Sequence, residues 1–376
     1  MLRGIRASCA AQKRRSGPGF PSTLKGAGSG TLIRGTLGKS LTLLIPGLFG
    51  PAEDPSGQDQ AFPALESLLA RAEPAPGVPP TFDQAVFALF GIDAPADADL
   101  PVAAVTRALD IGVIDKGWWL RADPVHLRPE RDRLILLDAQ LVPLSQEEAT
   151  RLAAEVLEHY AADGWALKAP RPGRWYLKPP RAARIVTTPL AEVVGKDIHP
   201  YLPTGKEGKA WHTVLNEIQI LLHTATVNSE RESRGELPIN SLWFWGSGRL
   251  PNISPVEWAQ VHSEEPISLA LARLSETPSS ASPESFSDWQ RQSQRSGHHL
   301  VVLDGARGAV QYHDVDQWRT FVERLEREWI APLLGALKDR ALAEVTIYTD
   351  TSRAFRLSAG QSRRWWRRRR SLGSFR

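Results

Sequence analysis

Three short, nearly unbroken apolar runs bracket this chain. They are Leu41-Thr42-Leu43-Leu44-Ile45 near the start, and residues 300–303 and 345–348 near the end. A strand with one wet face alternates apolar and polar residues, whereas a run without alternation is covered on both faces. Such strands belong to sheets whose connecting helices lie on both sides, so the runs predict an α/β fold. The intervening periodicity agrees. Phe82, Val86, Leu89 and Phe90 share one face of a helix over 81–90, and Trp318, Phe321, Val322, Leu325 and Trp329 one face of a longer helix over 316–337. Pro46-Gly47 ends the first run in a turn, and the Pro-, Gly- and acid-rich stretch 51–80 reads as loop with a short helix over 61–72.

Between the bracketing runs the pattern changes. Val125, Leu127 and Leu134 to Leu137 suggest two strands joined by the charged turn 128–133. Ser145 with Glu148 three residues on forms a capping box, opening a helix whose stripe is Leu152, Val156, Leu157 and Tyr160. Residues 165–169 and 175–178 read as a hairpin, and Trp211, Val214, Leu215, Ile218, Leu221 and Leu222 as the buried face of a helix over 209–224. The 376 residues therefore divide into a discontinuous α/β core, 41–115 and 239–360, and an inserted α+β domain, 116–238. Residues 275–296, rich in Ser and Pro, read as a surface loop with one helical turn at Ser282-Pro283-Glu284.

The net charge of +4 conceals segregation. Residues 1–40 carry eight Lys/Arg and no acid, and residues 361–376 carry seven Arg and no acid. Removing those fifteen cations from the 46 leaves 31 against 42 acids in 41–360, a net of −11. An acidic body argues against nucleic-acid binding, except through the C-terminal tail, where Trp365-Trp366 stands among arginines. The same composition suits an anionic membrane surface, and a solvated, frayed end is the plainer expectation. Residues 1–40 read as a basic extension, and their near-miss phosphate loop lacks its leading glycine, since Ile33 stands there. No apolar run reaches membrane-spanning length. One cysteine, Cys9, permits neither an intrachain disulfide nor a cysteine-built zinc site. A cytoplasmic location is expected.

The densest cluster of functional residue types runs from His223 through Asn228, Arg231 and Asn240 to Gly246-Ser247-Gly248. Small residues after an apolar strand let backbone amides approach an anion, and Arg grips phosphate or carboxylate with two parallel bonds. Read functionally, these seven form an anion site; read structurally, they form a helix end, a capped turn and a packed strand. His298 and His299 are adjacent in a strand and point to opposite faces, so they cannot share one metal.

The spacing of these residues, with Leu242-Trp243-Phe244-Trp245-Gly246 and the stretch from Arg174-Trp175-Tyr176 to Thr188-Pro189-Leu190, resembles archaeal-type cofactor-independent phosphoglycerate mutases of the alkaline-phosphatase-like superfamily. It resembles more closely the bacterial RpfE-type regulatory proteins. The resemblance covers 41–360 and implies an alkaline-phosphatase-like core sheet flanked by helices, with a smaller inserted α+β domain. It also implies two divalent metals, such as Mn or Zn, and a serine nucleophile. Where the family carries its first metal-binding Asp this chain has Pro46, and where it carries Asp-His this chain has Asp350-Thr351. Asp304, His313 and Asp314 read as remnants of a third cluster, and residues 81–120 contain no serine. Trp245 stands where the mutases have an arginine. No catalytic residue is assigned.

Two readings follow from the resemblance. In one the chain is catalytically degenerate, has no cofactor, and binds a phosphorylated small molecule or a protein partner in a regulatory role. In the other it is an active metal-dependent mutase or phosphatase.

Overall fold

The computed structural model describes residues 38–51 and 61–376. The basic extension expected over 1–40 thus lies almost wholly outside the described residues. The first segment supplies β1 (Ser40–Leu44), α1 (Pro63–Arg71), β2 (Glu73–Ala75), α2 (Phe82–Leu89) and α3 (Val102–Ile111). The middle supplies β3 (Trp118–Glu130), β4 (Arg133–Leu137), α4 (Gln146–Tyr160), β5 (Ala166–Arg171), β6 (Arg174–Lys178), α5 (Leu190–Val193), α6 (Gly208–His223), α7 (Thr226–Ser233) and β7 (Ser241–Arg249). The return segment adds β8 (Trp258–His262), α8 (Pro266–Leu274), β9 (Ser279–Ser280), α9 (Phe286–Gln292), β10 (His298–Val302) and α10 (Arg307–Gln311). It ends with α11 (Val315–Leu325), α12 (Ala331–Lys338), β11 (Glu344–Tyr348) and β12 (Ala354–Ser358).

Seven strands form the main sheet in the order β2-β12-β11-β1-β10-β8-β9. The three apolar runs are its centre: β1 pairs in parallel with β10 on one side and β11 on the other, Leu44 facing Val302 and Tyr348. Both faces of β1 are covered. Leu41, Leu43 and Ile45 pack with α1, α9, α11 and α12, while Leu44 packs with α2, α3 and α8. This is a mixed α/β architecture, a central sheet flanked by helices. Helix α11 runs through a π turn (Glu326–Ile330) into α12, so the single helix expected over 316–337 is one rod with a local widening.

The second sheet is organised on β3. That strand pairs antiparallel with β6 at Leu120 and Arg121, with β4 over His126–Glu130, and with β7 over Trp118–Val125. Strand β7 therefore belongs to the second sheet, and the domain boundary drawn at 239 falls one strand too early. Its apolar run packs on α4 and α6 and reads like a core strand, so composition could not show which sheet it joins. Tyr160, Trp165, Trp211 and Phe244 form a chain of ring contacts through that core, 5.2, 5.6 and 5.1 Å between successive centroids. The Ser145–Glu148 capping box is present, with both reciprocal bonds. The stretch 275–296 is more ordered than its composition suggests, containing β9 and α9, the latter capped by Ser285.

The C-terminal tail is docked, contrary to the frayed end expected. Leu372 and Phe375 enter the core beside α1 and β12, with Phe375 edge-on to Phe355 at 6.1 Å. Arg369 pairs with Glu66, Arg364 with Glu73, and Glu66 also accepts the Leu372 amide. Arginine content hid two apolar anchors too few to show a period. Among the described residues no helix is long and apolar enough to cross a membrane.

Candidate functional site

In open α/β sheets, ligands bind beyond the carboxyl ends of the parallel strands, where loops diverge. Here β1 ends in Pro46-Gly47, β10 in Asp304, β11 in Asp350 and β8 in the turn to Glu265. Above them lie Arg121 and Asp123 on β3, Arg174 on β6 and Trp245 on β7, closing a cleft between the two sheets. It contains two cavities of about 440 and 390 Å³ that share Asp83, Ala191, Arg307 and Gln311.

Two of the cleft's arginines are already matched. Arg121 makes two parallel bonds to Asp123, at 2.9 and 2.7 Å, and lies between the rings of Tyr176 and Trp245. Asp123 also accepts from the Trp245 indole at 2.7 Å and the Trp175 amide at 3.1 Å. Burial still pushes its carboxyl above the usual range. Arg174 grips Asp110 at 2.8 and 2.6 Å, and Tyr176 donates to the same carboxylate. Burial pushes Asp110 up, but those bonds outweigh it and hold the group below its ordinary value. Glu265 caps α8 through the Ile267 and Ser268 amides, at 3.0 and 2.8 Å.

Arg307 differs. Its guanidinium lies 3.9 Å from the Phe82 ring centroid, and among the described residues it has no ion pair. Asp83 and Glu265 are near enough to feel its charge, and burial pushes both carboxyls up. Like Lys196, which lines the smaller cavity, Arg307 is thus a cation without an ion pair among the described residues, and it stands beside acids that burial pushes towards their neutral form, which lessens the repulsion an oxyanion would meet there.

The expected metal remnants do not assemble. Pro46 has no donor atom in its side chain. Asp350 Oδ2 accepts the Gly47 amide at 2.8 Å, and burial pushes its carboxyl up. Asp304 lines one cavity and exposed His313 the other. Asp314 faces solvent and caps α11 through the Gln317 amide. Among the described residues no group of three His, Cys, Asp or Glu side chains is placed to hold a metal ion. The donor set does not fit the two-metal centre that the resemblance implies, because a carboxylate and an imidazole are replaced by Pro46 and Thr351.

The seven residues expected to form an anion site are also dispersed. His223 is exposed at the end of α6. The Asn228 amide bonds the Leu222 and Ile239 carbonyls and accepts from the Ile239 amide. Arg231, 2% exposed, bonds the Leu237 and Pro143 carbonyls and Glu148. Asn240 bonds the Leu127 backbone in both directions. Ser247 donates its amide and hydroxyl to Asp99, at 3.1 and 2.8 Å, some 20 Å of extended strand beyond Asn240. Gly246, at φ +62°, has no room for a side chain, since a Cβ there would lie 2.9 Å from Val102; at Gly248 it would lie 2.7 Å from Pro101. The glycines serve close packing of α3 on β7. Of this motif's neighbourhood only Trp245 lines the cleft.

Sequence reasoning missed Arg121, Asp123, Asp83 and Arg307. Arg121 and Asp123 stand two apart on one strand and so share a face, a readable signal. Arg307 carried none, because its ring partner and the acids around it come from distant segments.

No protein-family model matches this chain. It is similar to a probable 2,3-bisphosphoglycerate-independent phosphoglycerate mutase of Geobacter sulfurreducens, 27% identical over 190 residues, 50% of this chain and 47% of that protein. It is also similar to the 2,3-bisphosphoglycerate-independent phosphoglycerate mutase of Methanosarcina barkeri, 40% identical over 68 residues, 18% of this chain and 17% of that protein. The matched stretch thus spans about half the length of the first relative, and less of the second. Among solved structures, the PH0037 protein from Pyrococcus horikoshii has the same overall fold, with a TM-score of 0.51 at 14% identity over 85% of this chain and 87% of that one.

Proposed function

We propose that this is a phosphoglycerate mutase-like protein of the RpfE type, with an alkaline-phosphatase-like core, that has lost the family's chemistry. In this reading it uses no metal and has a cytoplasmic binding or regulatory role towards a protein partner or, as Arg307 favours, a phosphorylated small molecule. One observation carries the reading: beyond the carboxyl end of the central strand β1, beside Pro46, the Asp350 side chain is spent on the Gly47 amide. Losing even an outer-sphere partner costs a metal site about 10- to 100-fold, and here two direct ligands are replaced. The absence of serine from 81–120 supports the same conclusion. Arg307 supports retained binding, since it supplies a two-pronged donor without a resident carboxylate. Asn228 and Arg231 are given no ligand role.

The test combines elemental analysis with thermal shift against 3-phosphoglycerate and other phosphorylated metabolites, in chelator and with Mn. The expected result is substoichiometric metal, no turnover, and a ligand-induced rise in melting temperature that Arg307→Ala abolishes. Two metals per chain with phosphoglycerate turnover would establish the active mutase instead. No shift with any phosphorylated compound would end the binding reading.

A further inference from the structure

Along the β12 edge of the main sheet the docked tail presents a surface that the cleft does not explain. Trp365 is 82% exposed and Trp366 62%, the two rings edge to face at 6.2 Å. Exposed indoles side by side are costly in water unless something covers them. Leu372 and Phe375 pin the segment in the core beyond them, and Arg364 and Arg369 pin it to Glu73 and Glu66. The tryptophans are therefore held outward by a fixed loop. Beneath Trp366 runs a groove of about 750 Å³ whose floor is apolar, with Leu69, Ala72, Phe355 and Phe375, and whose rim carries Arg367, Arg368 and Arg370.

We infer that this loop is a docking surface for a bilayer containing anionic phospholipid, with Trp365 and Trp366 entering the headgroup boundary and Arg368 and Arg370 meeting lipid phosphates. Indoles settle at that boundary because one end is apolar and the other donates a hydrogen bond. Neither signal suffices alone, but a small apolar insertion together with a few cations gives reversible attachment. The charge distribution then sets orientation. Residues 41–360 carry a net of −11, so an anionic surface repels the body and attracts the tail face. A nucleic-acid strand fits less well. Base stacking needs open ring faces in succession, and two indoles packed edge to face block one of them. A phosphate track needs a row of free cations, and two of the tail's arginines are already paired to glutamates.

The experiment is co-sedimentation of the full chain with phosphatidylcholine vesicles, with and without phosphatidylglycerol. Trp365→Ala/Trp366→Ala and Arg368→Gln/Arg370→Gln variants are run alongside, with each variant's melting temperature. The full chain is expected to sediment only with the anionic vesicles, and less at high salt. Each double variant should lose about tenfold in bound fraction at an unchanged melting temperature. Failure of the wild type to sediment would overturn the inference. So would a tryptophan variant that binds like wild type, which would leave only diffuse charge. If duplex DNA displaced the chain from vesicles and bound it through the same two tryptophans, the surface would be a nucleic-acid site instead.

Discussion

Asp350, two residues past the end of β11, accepts a hydrogen bond from the amide of Gly47, three residues past the end of the neighbouring parallel strand β1, 2.8 Å away. This side chain latches two strand ends that in-register pairing brings together, Ile45 donating to the Tyr348 carbonyl one step earlier. A latch of this kind needs an acceptor and not a charge, and burial already disfavours the ionised carboxyl. Asp350→Asn is therefore expected to keep the wild-type melting temperature at neutral pH. Asp350→Ala should lose about 1 to 2 kcal/mol by denaturant melt, the cost of an orphaned buried donor.

Arg231 is the second case in which a residue with a functional look holds the fold. Its guanidinium closes two backbone carbonyls and meets Glu148, the glutamate that also caps α4. Arg231→Ala removes all of these at a buried site, so a loss of about 3 kcal/mol is expected. Arg231→Lys should recover only part, because an ammonium cannot reproduce the fork. Thermal shifts produced by phosphorylated compounds should persist in both variants when scaled to their own stability. An unchanged melting curve for Arg231→Ala would refute the brace.

The elements that could be read from sequence are those whose pattern is local. The unbroken runs of β1, β10 and β11, the stripes of α4, α6 and α11, and the Ser145–Glu148 box all encode a partner within a few residues or a face buried along its length. What could not be read depends on which distant segment arrives opposite. Asn228 and Arg231 carry the same donors whether they face a phosphate or the Leu222 and Leu237 carbonyls. Gly246-Ser247-Gly248 looks the same whether an anion or α3 presses against it. The docked tail escaped notice because two side chains, Leu372 and Phe375, have no periodicity to detect.

That docking yields a prediction of its own. Phe375 is buried against Phe355, and the Phe375 carbonyl accepts from Arg353 at 2.8 Å. Phe375→Ala should cost about 3 kcal/mol, at the low end for a buried aromatic because the residue keeps 9% of its surface exposed. Deleting 371–376 should cost at least as much. A melting temperature unmoved by the deletion would restore the frayed tail.

Gly246 offers a test of close packing against anion approach. Its positive φ and the 2.9 Å approach of Val102 both exclude a side chain, so Gly246→Ala should destabilise by about 1 to 3 kcal/mol. If the glycine served an anion instead, the substitution would weaken ligand response while leaving the apo melting temperature alone.

The last prediction concerns acid. His262 and His299 are both 0% exposed, their rings stacked 5.8 Å apart on neighbouring strands β8 and β10, with Trp289 edge-on to His299. His262 Nδ1 meets the Ser280 hydroxyl and His299 Nε2 the Arg295 carbonyl, while the other nitrogen of each ring has no hydrogen-bond partner among the described residues. Burial, with a smaller contribution from His299, pushes His262 down to about 4, and burial lowers His299 as well, helped by Lys39 and His298. At His262 the unfolded chain, with an ordinary imidazole, binds more protons than the folded chain between about pH 4 and 6.5. Stability from His262 is therefore complete above about pH 6.5 and is lost as the pH falls through that window, by about 3 kcal/mol at most. The buried acids with raised values, Asp83, Asp123 and Glu265, act in the opposite sense, losing stability as the pH rises. The comparison that isolates the imidazole is the difference between wild type and His262→Gln. Glutamine fills much of the same space and does not titrate, so its melting temperature should fall less than wild type's between pH 7.5 and 5. Parallel pH profiles for the two proteins would show that His262 is not the acid-sensitive group.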